Sequence, residues 1–237
     1  MAGTLYLIPV SLGAVPWSAY LPPDTRDSAL RLSRFIVENA KTARAELKRL
    51  EHPVPIRDIR IDELPERMSP ADADLLLQPT LAGEDIGLMS EAGCPGVADP
   101  GALLVFRAHA LGVKVRPLVG PSSLLLALMA SGLEGQRFAF HGYLPVREPD
   151  RAKRIVELEA ESRRRSQTQI FIETPFRNEA MLRTIIAVGQ AQTQVCVATD
   201  LTLPTESVVT RTVGDWRRHT TPQLDRRPTV FLLLSAG

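Results

Sequence analysis

The sequence predicts an α/β protein folded as two α/β domains with mixed, mostly parallel sheets, and three observations carry that prediction. Short apolar runs bounded by turn residues alternate with helix-period segments along nearly the whole chain, the pattern of strands joined by crossover helices. Ten such runs are too many for one small doubly wound sheet, and PLVGPSS at residues 117–123 interrupts them, which places the domains at 1–117 and 118–237. The second half then changes character. SVVTRTVGDW and TVFLLLS are rich in β-branched residues with no long helix between them, so antiparallel strands should close a mixed sheet there.

In chain order the expected strands of the first half are Leu5–Ile8, Arg34–Val37, Ile56–Ile59, Ile86–Met89 and Val113–Val119. Those of the second half are Ala139–Gly142, Gln169–Glu173, Gln194–Ala198, Ser207–Val213 and Val230–Leu234. Helices are expected over residues 26–33, 40–51, 70–79, 101–111, 122–131, 150–164 and 177–189. Helix 40–51 illustrates the reasoning: Ala43, Leu47 and Leu50, at steps of four and three, share one face, and Lys and Arg occupy the rest.

Of 237 residues 44% are apolar and 23% charged, which is enough to bury a core and excludes disorder by composition. Twenty-eight Lys and Arg against 27 Asp and Glu exclude a polyanion binder working by bulk charge, so any basic face has to be local. Two cysteines, Cys94 and Cys196, cannot build a disulfide scaffold or a four-ligand zinc site, and the four histidines lack ligand spacing. No metal is expected, and the compartment reads as reducing cytoplasm. The longest uncharged stretch, Pro117 to Leu133, is broken by Gly120, Pro121, Ser122 and Ser123, short of the roughly 18 continuous apolar residues of a membrane span. The start, MAGTLYLIPV, lacks the basic head and long apolar middle of a signal peptide, so neither membrane nor export is expected.

The chemistry concentrates in SEAGCPGVADPG, residues 90–101, which follows the apolar strand IGLM and precedes the helix ALLVFRAHAL. Open α/β sheets bind ligands at the carboxyl ends of parallel strands, and glycines there let the backbone approach a ligand closely. Asp99 followed by Pro100 also fits a helix N-cap and first helical position, which needs no ligand. No GxGxxG follows a strand and no GxxxxGK[ST] occurs, so neither a Rossmann dinucleotide site nor a P-loop is supported.

At this loop the chain resembles a known family. SEAGCPGVADPG, then a strand, then GPSSLLLALMASGL, is similar to the signature of the tetrapyrrole methylase-like, class III S-adenosylmethionine-dependent methyltransferases. Within that superfamily it is nearest the ribosomal RNA small subunit methyltransferase I family, whose pattern reads S-D-A-G-T-P-x-I-S-D-P-G, then G-P-S/C, then a small-residue helix. The match continues through FAFHGYLP, an Arg-rich helix, IFIETPFRN and CVATDLTLPTE. The resemblance implies two α/β domains with S-adenosylmethionine in the cleft between them, a homodimer, and transfer to ribosomal RNA, as ribose 2′-O-methylation. Carried over by position, Ser90, Glu91, Ala92, Gly93, Val97, Ala98 and Asp99 line the cofactor, with Pro9 to Gly13 as the opposite loop. Ser122 and Ser123 lie at a helix N-terminus, where amides and hydroxyls meet a carboxylate or ribose; helix capping is their alternative.

The sulfonium methyl is already activated, so the protein has mainly to hold an acceptor in line with it and, for a hydroxyl, to take up the proton. The candidates at or just beyond strand ends are Glu38, Lys41, Glu173, Arg177, Asp200 and Glu206. Surface ion pairs or caps are the ordinary alternative for each. Glu173 with Arg177 is the first choice, since ETPFR matches the family and the carboxylate ends a strand, and Glu38 is the third catalytic candidate.

Several positions depart from the family. T-P-I-G-N becomes PVSLGA, putting Ala14 where Asn is expected; A-E-D-T-R becomes VENAK, with Asn39 in place of the acid; E-L-T-K becomes DLTL, with Leu203 in place of Lys. The sequence ends at VFLLLSAG, where the ribosomal enzymes run on. These departures fit a divergent paralogue. Cys94 reads as a small apolar filler and His141 as a core histidine. RAKRIVELEAESRRR and the pairs Arg217, Arg218 and Arg226, Arg227 would form a phosphate track if they shared one face. Three functions therefore stay open: a ribosomal RNA methyltransferase, a methylase of a tetrapyrrole or other small molecule, and a cofactor-binding protein without catalysis.

Overall fold

The computed structural model describes residues 2–235. Contacts divide the chain into two compact units, Met1–Ser122 and Ser123–Gly237.

In the first unit the elements are β1 (Thr4–Leu7), α1 (Pro23–Leu30), β2 (Arg34–Val37), α2 (Ala40–Arg49), β3 (Arg60–Glu63), α3 (Pro70–Leu81), β4 (Ile86–Met89), α4 (Ala102–Ala110) and β5 (Lys114–Pro117). The five strands form one sheet in the order β3-β2-β4-β1-β5, with every pairing parallel. β4 is buried along its whole length, as a central parallel strand covered on both faces must be. Leu5, Ile36, Ile86 and Leu88 meet Leu77 of α3 and Leu104 of α4 in one core cluster.

The strand expected at Ile56–Ile59 is a 3-10 turn over Ile56–Asp58, and β3 runs over the four polar or half-apolar residues after it. Pro55 starts the turn, its carbonyl accepting from the Asp58 amide at 2.8 Å. An edge strand needs no apolar face, so RIDE pairs without the pattern that marks its neighbours, helped by Arg34 to Asp62 at 2.9 Å. The helix expected over 26–33 starts earlier because Pro23 occupies the first turn.

The second unit contains α5 (Ser123–Ser131), β6 (Phe138–Tyr143), α6 (Glu148–Arg165), β7 (Thr168–Ile172), α7 (Asn178–Val188), β8 (Gln194–Thr199), β9 (Ser207–Thr212), α8 (Val213–Arg218) and β10 (Thr229–Leu234). Its sheet has the order β6-β7-β10-β8-β9. β6 and β7 are parallel, and β10 runs antiparallel to both β7 and β8, so the sheet is mixed as the β-branched runs predict. Among the described residues the one α-helix the sequence reading omits is α8. It is held by Trp216, which is buried and donates its indole N–H to the Val195 carbonyl at 3.0 Å. Phe171 and Phe231 stack across β7 and β10 with centroids 5.8 Å apart.

Candidate functional site

Because the first sheet is all parallel, the chain leaves β1, β2, β4 and β5 at one edge. The neighbours β4 and β1 send it in opposite directions across the sheet, β4 towards β5 and β1 towards β2. This reversal is where open α/β sheets receive ligands. Residues 90–101 follow β4 there, Pro9 to Gly13 follow β1, and Glu38 follows β2.

The two loops are stitched together. Val10 and Gly93 form an isolated antiparallel bridge, with the Val10 amide 2.9 Å from the Gly93 carbonyl. Gly93 has φ +73, which a β-branched residue would hold only under strain. Ala98 also lies in the left-handed region, at φ +64. Glu91, Ala92, Val97 and Ala98 are exposed, whereas Pro9 and Ser90 are buried. The Ser90 hydroxyl donates to the Ala92 carbonyl at 3.3 Å, and Cys94 donates its thiol to the Pro121 carbonyl at 3.3 Å.

The expectation that Asp99 caps the following helix is overturned. α4 begins at Ala102 behind Gly101, and no side chain caps it. Pro100 cannot open the helix because two turn residues separate Asp99 from its first residue. Asp99 instead belongs to a group of carboxylates. Glu38 accepts the Glu91 amide through Oε2 at 3.1 Å. Burial pushes the Asp99 carboxyl up to about 6, the charges of Glu38 and Glu91 add to that, and the Ser90 hydroxyl opposes it. Glu38 is raised as well, chiefly by burial, with the Glu91 amide pulling against it. Burial and mutual repulsion therefore make both carboxyls resist ionisation.

Beside them lies a cavity of about 230 Å³, lined by Ser11, Leu12, Thr42, Arg49, Ser90 and Glu91 among others. This is smaller than the roughly 300–1,000 Å³ of a pocket that encloses a whole ligand. Glu46 forms its inner wall and is buried. Its carboxylate accepts from the Ser11 amide at 3.2 Å, the Ser11 hydroxyl at 3.1 Å, the Tyr20 hydroxyl and Arg49. Sequence reasoning missed this group, although Glu46 falls beside Leu47 and three residues after Ala43, on the face assigned to the core.

Asn39 shows why one family departure is conservative in structure. Its side chain accepts the Lys41 and Thr42 amides at 2.9 and 3.2 Å and caps α2, a task Asn and Asp perform about equally. Lys41 is exposed. Ser123 is the first residue of α5, and Ser122 precedes it.

In the second unit Glu173 and Arg177 form an ion pair at 2.6 Å, with the Glu173 side chain fully buried and Arg177 at 37% exposure. Glu173 also accepts the Thr174 amide at 2.6 Å, and the pairing holds the Arg177 guanidinium above its usual range. Glu173 Oε2, Arg177 Nε and Asn178 Oδ1 are buried without a partner among the described residues. Asp200 and Glu206, by contrast, are engaged. Asp200 accepts from Thr205 at 2.7 Å and Arg227 at 2.9 Å, and Glu206 accepts the Thr202 amide at 2.7 Å. His141 lies inside β6, half-buried, against Gln169 at 2.6 Å.

The proposed phosphate track is largely committed elsewhere. Arg151 is buried and bonds Thr184 and the Val146 carbonyl. Arg154 bridges Glu157 and Glu161, Arg217 binds two carbonyls, and Arg218 and Arg227 pair with Asp215 and Asp200. Arg164 and Arg165 are exposed and make no salt bridge among the described residues. No group of three His, Cys, Asp or Glu side chains among those residues is arranged to hold a metal, and none of the helices is long and apolar enough to cross a membrane.

Two α/β units, the first bearing a glycine-rich loop beside half-buried carboxylates at the carboxyl edge of a parallel sheet, define a ligand-binding α/β protein. Residues 27–216 match the model of the tetrapyrrole (corrin/porphyrin) methylases, and the chain belongs to that family. It is similar to the ribosomal RNA small subunit methyltransferase I of Xylella fastidiosa strain Temecula1, 33% identical over 165 residues, covering 70% of this chain and 59% of that protein. The same-named protein of Escherichia coli O157:H7 is 34% identical over 165 residues, covering 70% and 56%. That of Vibrio cholerae is 38% identical over 136 residues, covering 57% and 46%. The chain thus spans roughly half the length of the curated relatives it matches. Among solved structures, the methyltransferase CobJ superposes with a TM-score of 0.65 at 16% identity, covering 99% of this chain and 95% of that one. Cobalt precorrin-4 methyltransferase gives 0.59 at 14%, covering 98% and 94%. These two likenesses speak to the fold.

Proposed function

We propose that the protein is an S-adenosylmethionine-dependent methyltransferase acting on ribosomal RNA at a ribose 2′-hydroxyl. The observation that carries the reading is the family's loop, SEAGCPGVADPG, lying at the carboxyl edge of the parallel sheet beside raised carboxyls. The names of the curated relatives support the acceptor. The reading assigns cofactor binding to Pro9, Ser90, Glu91, Ala92, Gly93, Val97, Ala98, Asp99, Ser122 and Ser123. It assigns the functional domains to 1–117 and 118–237, and it places the protein in the cytoplasm as a homodimer.

The residues fit the cofactor on two counts. The exposed residues Glu91, Ala92, Val97 and Ala98 offer backbone amides and carbonyls to a polar ligand, and Glu38, Glu91 and Asp99 set negative charge where a sulfonium cation is to be held. When bound, S-adenosylmethionine supplies a methyl group on a positively charged sulfur. Asp99, pushed up to about 6, is free to accept a proton above that pH, and Glu38 beside it is raised in the same direction. In the second domain Glu173 fixes Arg177, whose half-exposed guanidinium is left to orient an acceptor oxygen.

The test is transfer of labelled methyl from S-adenosylmethionine to ribosomal RNA and to small subunits, with mass spectrometry of ribosomal RNA from a strain lacking the protein. Transfer by wild type and a missing methyl in that strain are expected. Cofactor binding without transfer to any RNA would reject the acceptor and favour a small-molecule methylase or a non-catalytic binder.

A further inference from the structure

Helix α2 carries Lys41, Arg44, Lys48 and Arg49 against a single acid, Glu46. At 100° per residue these side chains fall into three adjoining sectors. Ala43, Leu47 and Leu50 point into the core; Thr42, Ala45 and Arg49 line the cavity; Lys41, Arg44 and Lys48 form an exposed stripe on the far side of it. Among the described residues the three stripe cations make no salt bridge, unlike Arg154, Arg218 and Arg227 of the second unit.

Arg49 is held at one end only. Its Nη1 donates to Glu46 and, at 2.5 Å, to the Ser11 hydroxyl, whereas Nε and Nη2 make no hydrogen bond to the described residues. Those two groups are parallel donors in the fork that matches phosphate oxygens bidentately. Glu46, which anchors the guanidinium through Nη1, is itself bonded by Ser11 and Tyr20. Burial and the neighbouring Glu46 push the Tyr20 hydroxyl up, so it remains a donor throughout the neutral range. Glu91 also lines the cavity and repels an anion at that end, leaving the Arg49 end as the place for one.

We propose that the Nε/Nη2 edge of Arg49, positioned by Glu46 and flanked by Lys41, Arg44 and Lys48, binds a phosphate of the nucleic-acid acceptor. The proposal rests on the reading that the acceptor is RNA. It makes Arg49 a binding residue and Glu46 a positioning residue, and it moves the phosphate-binding surface from the second unit, where sequence reasoning placed it, to the first.

The experiment measures binding of a short labelled single-stranded RNA across a salt series, alongside calorimetry with S-adenosylhomocysteine. Arg49→Gln should weaken RNA binding about tenfold or more, and the slope of log affinity against log salt should become shallower by about 0.7 for the one phosphate lost. S-adenosylhomocysteine affinity should stay as in wild type. If Arg49→Gln does not fold because Glu46 loses its cation, the exposed triple variant Lys41→Gln, Arg44→Gln, Lys48→Gln replaces it, with an expected slope change of about 2. Glu46→Gln should weaken RNA binding less than Arg49→Gln, because the fork stays but is no longer held by charge. Wild-type RNA affinity and slope in both basic variants would overturn the proposal. So would a loss of S-adenosylhomocysteine affinity in Arg49→Gln with the RNA slope unchanged. Should wild type bind no RNA, the acceptor reading itself fails. The oxyanion site is then decided by NMR with inorganic phosphate: a shift of the Arg49 Nε signal keeps the site, and no shift removes it.

Discussion

At the scale of residues, the site is built from carboxyls placed where they resist ionisation. Asp99 shows the consequence for stability. Its proton is held to about pH 6 in the fold against 3.8 in a free chain, so the folded state binds that proton more tightly. The stability due to this difference is complete at low pH and lost as pH rises from about 4 to about 6. Asp99→Asn, which needs no ionisation, should therefore raise the melting temperature at pH 8, by the equivalent of about 1 kcal/mol given solvent screening at a half-buried site. The gain should shrink as pH falls below 6. The same variant should lower methyl transfer by about 100-fold or more if Asp99 accepts the proton, and thermal melts and initial rates at both pH values would check the pair of effects. Arg177 serves a different purpose. Removing it leaves the buried Glu173 carboxylate without its cation, so Arg177→Ala should cost about 3 kcal/mol in urea unfolding; a loss under about 1 kcal/mol would mean that water replaces the guanidinium.

At the scale of elements, what the sequence revealed depended on burial. Strands covered on both faces, such as IGLM and TVFLLL, carry continuous apolar runs, and their positions agree with the structure to within a residue. The edge strand RIDE carries no such run and was misplaced onto the more apolar turn before it. The six-residue α8 is too short for helical periodicity to register, although Thr212 and Asp215 in TVGD form a capping pair at 2.7 Å that could have signalled it. The glycine-rich loop was legible because its composition is unusual. The buried Glu46 network was not, because Arg49 is its only partner on the same helix and the fold alone brings Ser11 and Tyr20 to it. Loop packing yields a further expectation. A Cβ on Gly120 would lie 2.3 Å from Pro9 Cβ and 2.7 Å from its Cγ, so the chain after β5 presses directly on the loop after β1. Gly120→Ala should destabilise the protein by about 1–3 kcal/mol and weaken S-adenosylhomocysteine binding by displacing Pro9. Calorimetry and melts that match wild type would show that the loop yields without cost.

At the scale of the whole molecule, a net charge of +1 leaves association to local surfaces rather than to the overall field. One such surface is apolar. Helix α5, SLLLALMAS, is hydrophobic nearly all round, yet it buries chiefly Ala127, Leu128 and Ser131, on the side that packs against β8, β9 and β10. Leu125 and Met129, four residues apart and therefore on one face, are 53% and 79% exposed. A helix apolar on every side is ordinarily covered on every side, and a face repeated identically on each copy is suited to a two-fold contact with itself. Together with the homodimer implied by the family resemblance, this predicts a particle of two chains in solution rather than the 26.0 kDa of one. Replacing Leu125 and Met129 with Glu sets like charges against each other across such a contact and should yield the single chain, still folded by circular dichroism because neither side chain supports the core. Sedimentation equilibrium of wild type and the double variant decides the matter: a single-chain mass for wild type removes the dimer, and a two-chain mass for both proteins moves the contact away from α5.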